Sequence, residues 1–213
     1  MKIYLELFPP PPIAPSLILK KIIKEAPMRP LFTIHAGEFV VGEYIERHFR
    51  SLNVWIPSKD TGIDLLVTNK ENSCTISLQV KLSRDYRAPE AINDFERRTI
   101  AAGWLNFRRD KIQESTANFW VIVLVSCERR LPPQFIIIPP GELLEHLTKV
   151  DGKELERHHF YPWVTNDNRA LNGRGINPTE RGNLAEHGSI PEKRDLTDYL
   201  NNWGALKSLA STS

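Results

Sequence analysis

Four side chains in the first half of the sequence have types and spacing suited to binding a hard metal ion and hydrolysing a phosphate ester. Asp64 offers a carboxylate, Gln79 a neutral amide oxygen and Lys81, two residues further on, an ammonium group; Glu38 offers a second carboxylate. Hydrolysis needs a nucleophilic water and stabilisation of charge on the phosphate. A cation such as Mg²⁺ (or Mn²⁺) supplies both when one or two carboxylates and water hold it. We therefore predict Asp64, Gln79 and Glu38 as metal ligands.

Lys81 is predicted to position the water and to offset negative charge in the transition state. Its position on a predicted strand fixes which of the other residues share its face. Residues 75–82 alternate between polar and apolar side chains as in a half-buried β-strand, so Gln79 and Lys81 share one face. Residues 63–68 form a preceding strand that carries Asp64. A four-residue loop between the two strands pairs Asp64 with Gln79, whereas a five-residue loop turns Asp64 away from Lys81. We predict the four-residue loop.

Glu38 lies near the start of a predicted helix over residues 36–53. The apolar residues of this helix recur at helical spacing and form one stripe, which consists of Val41, Ile45, Phe49 and Leu52. Glu38 falls within the stripe, and a carboxylate that faces a core needs a reason. Either it interacts with the helix N-terminus, whose dipole favours acids, or it supports the metal site or Lys81. We expect all four groups to gather in a single small pocket.

Other segments are predicted from their periodicity. Residues 53–57, 119–126 and 135–138 read as strands, the second central and buried on both faces, and residues 159–164 as an edge strand. Helices are expected at 92–103, 105–112, 141–150 and 195–206. The predicted organisation is a Pro-rich appendage at 1–30, a core domain at 31–165, a polar irregular excursion at 166–194, and a C-terminal helix at 195–213 that packs on the core.

Composition limits the classes of function. The chain has 213 residues, 41% of them hydrophobic, and a net charge of +2, so nucleic-acid contact must come from local patches rather than a global field. Arg84, Arg87, Arg108 and Arg109 form the basic stretch expected to contact phosphates. The absence of a long apolar run argues against a membrane span, and two cysteines favour a reducing cytoplasm. The tryptophans at 104, 120, 163 and 203 are interpreted as packing residues rather than base-stacking platforms.

The motifs Gly37-Glu38, Gly62-Ile63-Asp64 and Gln79-Val80-Lys81 resemble those of the PD-(D/E)XK nuclease superfamily, in particular its Mrr-like branch with Q-x-K. The resemblance extends over residues 36–83. It implies a three-layer α/β fold with a mixed central sheet between helices, in the manner of restriction endonucleases. It also implies Mg²⁺-dependent cleavage of DNA by Asp64, Gln79, Lys81 and Glu38. Such nucleases often dimerise to cut both strands, so a homodimer is one arrangement that it suggests.

The sequence departs from the family pattern at two positions. Ile63 replaces a proline, and Gln79 replaces an acid, which removes a negative charge from the metal site. The second departure leaves open a nucleic-acid-binding module that kept the fold and lost efficient catalysis. A protein-interaction domain is a further alternative, and so is a structure in which Gln79 and Lys81 merely form the solvated face of an edge strand.

Overall fold

The computed structural model describes residues 35–59, 61–84, 98–125 and 131–212. The predicted appendage at 1–30 lies outside these residues. The helices of the described chain are α1 (Ala36–His48), α2 (Arg109–Gln113), α3 (Pro140–Asp151), α4 (Pro178–His187) and α5 (Gly204–Ala210). Its strands are β1 (Leu52–Trp55), β2 (Leu65–Asn69), β3 (Thr75–Arg84), β4 (Thr99–Ala102), β5 (Leu105–Arg108), β6 (Phe119–Val125), β7 (Gln134–Ile138), β8 (Arg157–Phe160), β9 (Pro162–Thr165) and β10 (Ala170–Asn172). None of the described helices has the length and apolar character needed to cross a membrane.

A five-stranded mixed sheet forms the centre of the fold, in the order β1-β2-β3-β6-β7. Strands β3 and β6 are parallel, and every other neighbouring pair is antiparallel. One apolar cluster packs α1 and α5 against one face of the sheet, and a second packs α2 and α3 against the other. This arrangement confirms the predicted α/β class with a mixed sheet between helices.

The β2–β3 hairpin has the predicted register. Leu65 pairs with Leu78, and the Asn69 N–H donates to the Cys74 carbonyl at 3.2 Å, so Asp64 is in line with Gln79. The side-chain oxygen of Asn69 accepts from the N–H groups of Ser73 and Cys74 at 2.9 and 3.1 Å. An asparagine that satisfies its own turn in this way fixes the loop length, and the loop length fixes the register.

Strand β6 is buried on both faces, as its continuous apolar sequence predicts. Ile122 and Leu124 belong to one apolar cluster, while Val121 and Val123 belong to the other. Since β6 pairs with β3, the latter is an interior strand. The alternative in which Gln79 and Lys81 belong to an edge strand is therefore wrong.

Two predicted helices are partly wrong. Residues 99–102 form β4 and residues 105–108 form β5, with only the short α2 following at 109–113. The Leu105–Arg108 segment alternates between buried and exposed residues, which is a strand pattern. Strand β4 pairs with β9 and β5 pairs with β8, so partners about fifty or more residues away decide their conformation. The expected edge strand at 159–164 is instead divided between β8 and β9, and β9 is the middle strand of a small sheet with β4 and β10.

The expected irregular excursion at 166–194 contains β10, α4 and a small apolar cluster of Leu171, Ile176 and Leu184. Arg194 is buried and donates to the carbonyls of Asn172, Arg174 and Gly175, which lets this polar segment fold compactly. Beyond it, Trp203, Leu206 and Leu209 pack against the sheet, although α5 begins later than the predicted helix at 195–206. The proposed domain boundaries stay predictions.

Candidate active site

A cleft of about 950 Å³ opens between the polar face of β3 and the two-stranded ribbon formed by β5 and β8. Asp64, Gln79 and Lys81 all line this cleft. The hairpin register explains why: residues directly opposite each other in an antiparallel pair share a face, and Lys81 lies two residues beyond Gln79 on that face. The opposite wall includes Trp104, Arg108, Lys111 and Arg157.

Asp64 is held in a fixed orientation at the entry to β2. Its side chain is buried, and its Oδ2 accepts a hydrogen bond from the Val80 N–H at 2.6 Å. Its own N–H donates to the Leu78 carbonyl at 2.8 Å. Hydrogen bonds of this kind orient a carboxylate before any ligand arrives, which is the usual role of groups that support a metal ligand.

The loop before Asp64 passes close to the side chain of Gln79. Gly62 has a φ of +81°, in the left-handed region that favours glycine, and a Cβ built there would lie 4.0 Å from the Gln79 side-chain nitrogen. Rotation of the amide by half a turn exchanges its nitrogen and oxygen, so either atom can face this loop. The amide of Gln79 therefore lies beside the loop that precedes Asp64.

Lys81 extends over an aromatic ring on the neighbouring strand. Its Nζ lies 5.6 Å from the centroid of the Trp120 ring, within the range of a cation–π interaction. Trp120 is itself fixed, because its indole N–H donates to the Ser115 hydroxyl at 2.9 Å and its ring packs perpendicular to Phe107 at 5.3 Å. Trp120 is thus a packing residue, as predicted, that also positions the ammonium group of Lys81.

Glu38 lines an adjoining hollow of about 460 Å³ together with Asp64 and Lys81. Its side chain is only 3% exposed, and its Oε2 accepts from the His35 N–H at 3.4 Å, a long contact at the start of α1. The two explanations offered for Glu38 are therefore compatible, since it lies both at the helix N-terminus and beside Asp64. The four side chains line two adjoining hollows, not the single pocket that was expected.

The donors at this site suit a hard cation. Asp64 and Glu38 supply carboxylates and Gln79 an amide oxygen, and Mg²⁺ binds proteins through one or two carboxylates plus water and substrate oxygens. No three His, Cys, Asp or Glu side chains come together as a metal-binding group within the described ranges. The donor set therefore fits Mg²⁺ or Mn²⁺ with two acids, and it does not suit zinc, which prefers nitrogen and sulfur ligands.

The structure describes the side chains of two of the four arginines that were predicted to contact phosphates, and only one of these two lines the cleft. Arg108 lines the cleft, and the hydrogen bond and charge of Asp110 raise its pKa. Arg109 turns away and forms an ion pair with Glu154 at 2.9 Å. The side chain of Arg84 and the whole of Arg87 fall outside the described residues.

Arg157 is a cleft residue that the sequence analysis missed. It lies directly opposite Arg108 in the β5–β8 pair, and both side chains line the cleft. Like charges directly opposite each other in a sheet are unfavourable, so an anion bound between the two guanidinium groups would stabilise this pair. The alternation in Leu105–Arg108 and the sequence Arg157-His-His-Phe were the available signals, but their pairing could not be read from sequence.

In comparisons with protein-family models, with curated proteins and with solved structures, nothing matches the chain.

Proposed function

We propose that this protein is a metal-dependent endonuclease that hydrolyses DNA phosphodiester bonds. The observation that carries the proposal is the hairpin register, which aligns Asp64 with Gln79 and brings both, with Lys81, to a cleft whose far wall carries Arg108, Lys111 and Arg157. A nuclease needs acidic and cationic groups on facing walls, the first for a metal and the second for the DNA backbone. The resemblance of the same residues to PD-(D/E)XK nucleases supports this reading.

Each residue has a defined task in this proposal. Asp64, Glu38 and Gln79 would hold Mg²⁺, which when bound polarises the phosphate and lowers the pKa of water. Arg108 and Arg157 bind the backbone phosphates and hold the scissile group in the cleft. Lys81, positioned by Trp120, orients the attacking water and offsets the negative charge that builds on the phosphate oxygens. The water gives up a proton to solvent as its oxygen adds to phosphorus, the bond between phosphorus and the leaving oxygen breaks, and the leaving oxygen takes up a proton from solvent.

A second candidate function is nucleic-acid binding without hydrolysis. The observation that favours it is the donor set itself, in which an uncharged amide takes a position where a third carboxylate would strengthen metal binding. For either function we propose a cytoplasmic location, consistent with the free thiol of Cys74.

The test is cleavage of supercoiled plasmid in Mg²⁺ or Mn²⁺ by the wild type, Asp64→Asn and Lys81→Ala. We expect each substitution to lower the rate by about 100-fold or more, the usual effect of removing one group that stabilises the transition state. Lys70→Ala is the matched control, because Lys70 is an exposed lysine in the β2–β3 turn. Equal nicking by all four proteins would exclude this site as the source of activity.

Gln79→Glu separates the two candidate functions. A third carboxylate should lower the Mg²⁺ concentration required for half-maximal cleavage if residue 79 is a metal ligand. Cleavage by this variant alone, with none by the wild type, would favour the binding module, whereas an unchanged Mg²⁺ requirement in an active enzyme would remove Gln79 from the ligand set.

A further inference from the structure

Trp104 is an exposed aromatic residue in the candidate cleft. The sequence analysis assigned it to core or surface packing rather than to base stacking. Its side chain is 47% exposed and lines the same cleft as Lys81, Arg108 and Arg157. Trp120 and Trp203 are by contrast almost completely buried. The cleft thus combines a partly exposed aromatic ring with the cationic side chains of Arg108 and Arg157.

The backbone around Trp104 is rigidly held. Its N–H donates to the Ser83 hydroxyl at 2.9 Å, and the same hydroxyl donates to the Trp104 carbonyl at 3.3 Å. The preceding Gly103 donates its N–H to Pro162 at 2.8 Å and packs so tightly that a Cβ there would approach the Leu124 side chain to 2.6 Å. These contacts tie the residue to β3, to β6 and to the start of β9.

The indole ring is also oriented by a neighbour. It is nearly parallel to the His159 ring, with an interplanar angle of 15° and centroids 6.2 Å apart. His159 follows Arg157 by two positions on β8 and pairs with Asn106, so it belongs to the same ribbon face as the Arg108–Arg157 pair. Trp104, which immediately precedes β5, therefore stacks on a residue that shares a ribbon face with the two arginines of the cleft.

We propose that Trp104 is a stacking site for an unpaired nucleobase, and that the substrate class of this cleft is DNA containing a single-stranded segment. The inference rests on the proposed function in taking DNA as the ligand. Proteins bind single strands by combining a basic groove for the backbone with aromatic rings on which bases stack. A paired base in a duplex has both of its faces covered by its neighbours, so only an unstacked base can use the ring of Trp104.

Binding is measured in the Asp64→Asn background without metal, so that hydrolysis plays no part. The probes are a fluorescein-labelled single-stranded 12-mer, the same backbone with abasic residues throughout, and the matched duplex, followed by fluorescence anisotropy. We expect the base-bearing single strand to bind most tightly. Trp104→Ala should weaken that complex by about 5- to 100-fold, the contribution of stacking one base on an aromatic ring, and should leave the abasic strand unchanged.

Two further variants complete the experiment. Trp104→Phe keeps an aromatic ring and should restore most of the affinity, which also covers the case in which Trp104→Ala does not fold. Trp55→Ala is the matched control, since Trp55 is 50% exposed but lies on β1 and does not line the cleft. Equal affinity of the unaltered cleft for the base-bearing and abasic strands would overturn the proposal, as would equal losses on both strands in Trp104→Ala.

Failure of this inference can be told apart from failure of the proposed function. Plasmid cleavage that depends on Asp64, combined with equal affinity for the base-bearing and abasic strands, would indicate a nuclease without a stacking site. Base-dependent binding through Trp104, combined with no cleavage under any metal, would leave the stacking site and remove the nuclease. Tightest binding to the duplex overturns the single-strand assignment even if the enzyme cuts DNA.

Discussion

Two adjacent residues of β8, Arg157 and His158, face opposite sides of the ribbon and have opposite kinds of environment. His158 points inwards and donates from Nδ1 to the Asp151 carboxylate at 2.7 Å, while the Nε of Arg174 forms an ion pair with the other oxygen of Asp151 at 2.6 Å. Arg157 points outwards, directly opposite the like charge of Arg108. On the inner side, the carboxylate of Asp151 lies between two cationic or proton-donating groups, although His158 Nε2 is buried without a hydrogen-bond partner among the described residues. On the outer side, two arginines lie opposite each other.

The inner cluster compensates for an unfavourable position. Asp151 is the last residue of α3, where the helix dipole disfavours an acid, and its side chain is only 4% exposed. The bonds from His158 and Arg174 offset both penalties, and together they join α3, β8 and the segment after β10. At the cleft, Asp110 forms an ion pair with Arg108 and Glu114 is part of the lining, while Arg157 lies directly opposite Arg108.

The largest expected effect comes from breaking the inner cluster. Asp151→Ala should lower the free energy of unfolding by about 3 kcal/mol, because it leaves the buried Nδ1 of His158 without its acceptor and removes the ion pair of the partly buried Arg174. Urea denaturation at neutral pH measures the loss. Glu145→Ala is the control: Glu145 forms an exposed pair with Lys149 at 2.7 Å, and its removal should leave the free energy of unfolding nearly unchanged. Similar losses in the two variants would contradict the distinction between inner and outer charges.

A second prediction concerns a buried histidine on α3 that has no balancing acid in contact. Burial lowers the pKa of His146 to about 4, assisted by the charges of Lys149 and Arg194. The unfolded chain therefore binds a proton at His146 near pH 6.5, whereas the folded protein does so only near pH 4. The free energy of unfolding is consequently unaffected by this group above pH 6.5 and decreases as the pH falls towards 4. The loss should be roughly 3 kcal/mol over this interval.

The measurement is urea denaturation of the wild type and His146→Leu at several pH values between 7 and 4. His146 Nε2 is buried without a hydrogen-bond partner in the part of the chain that the structure describes, and the ring packs against Phe160, so leucine should be tolerated at neutral pH. The variant should gain relative stability as the pH falls. A stability difference that does not change with pH would show that His146 is protonated equally in both states.

The first three strands and the start of α1 were predictable because their determinants are local, although α1 ends at His48 and the predicted helix to residue 53 is too long, since Leu52 begins β1. Asn69 specifies its own turn, and the turn aligns Asp64 with Gln79 without reference to the rest of the chain. Glu38 could be singled out because an acid interrupts an otherwise apolar helix stripe. These residues sufficed to predict the acidic wall of the candidate site.

The opposite wall could not be predicted in this way. Residues 99–102 contain two alanines, which favour helix, and become a strand only because β9 pairs with them from some sixty residues further along the chain. Arg157 reaches Arg108 through the same kind of distant pairing. Trp104 was assigned to packing because exposure is decided by what covers a ring, and the covering segments come from elsewhere in the chain.

Arg157→Ala has the smallest expected effect on stability, and it tests the outer face of β8 directly. Removal of one member of a like-charge pair should leave the free energy of unfolding unchanged or raise it by at most about 0.5 kcal/mol, since Asp110 already offsets part of the Arg108 charge. The affinity for DNA should fall, and its dependence on salt should weaken by about one phosphate contact, which is a change of roughly 0.7 to 0.9 in the slope of log K against log salt.

Arg47→Ala is the control, because Arg47 is an exposed arginine on α1 that pairs with Glu43 and lies away from the cleft. The contrary outcome is that Arg157→Ala destabilises the fold as Asp151→Ala does and leaves the salt slope unaltered. In that case the outer face of β8 has a structural role, and Arg157 does not bind the DNA backbone.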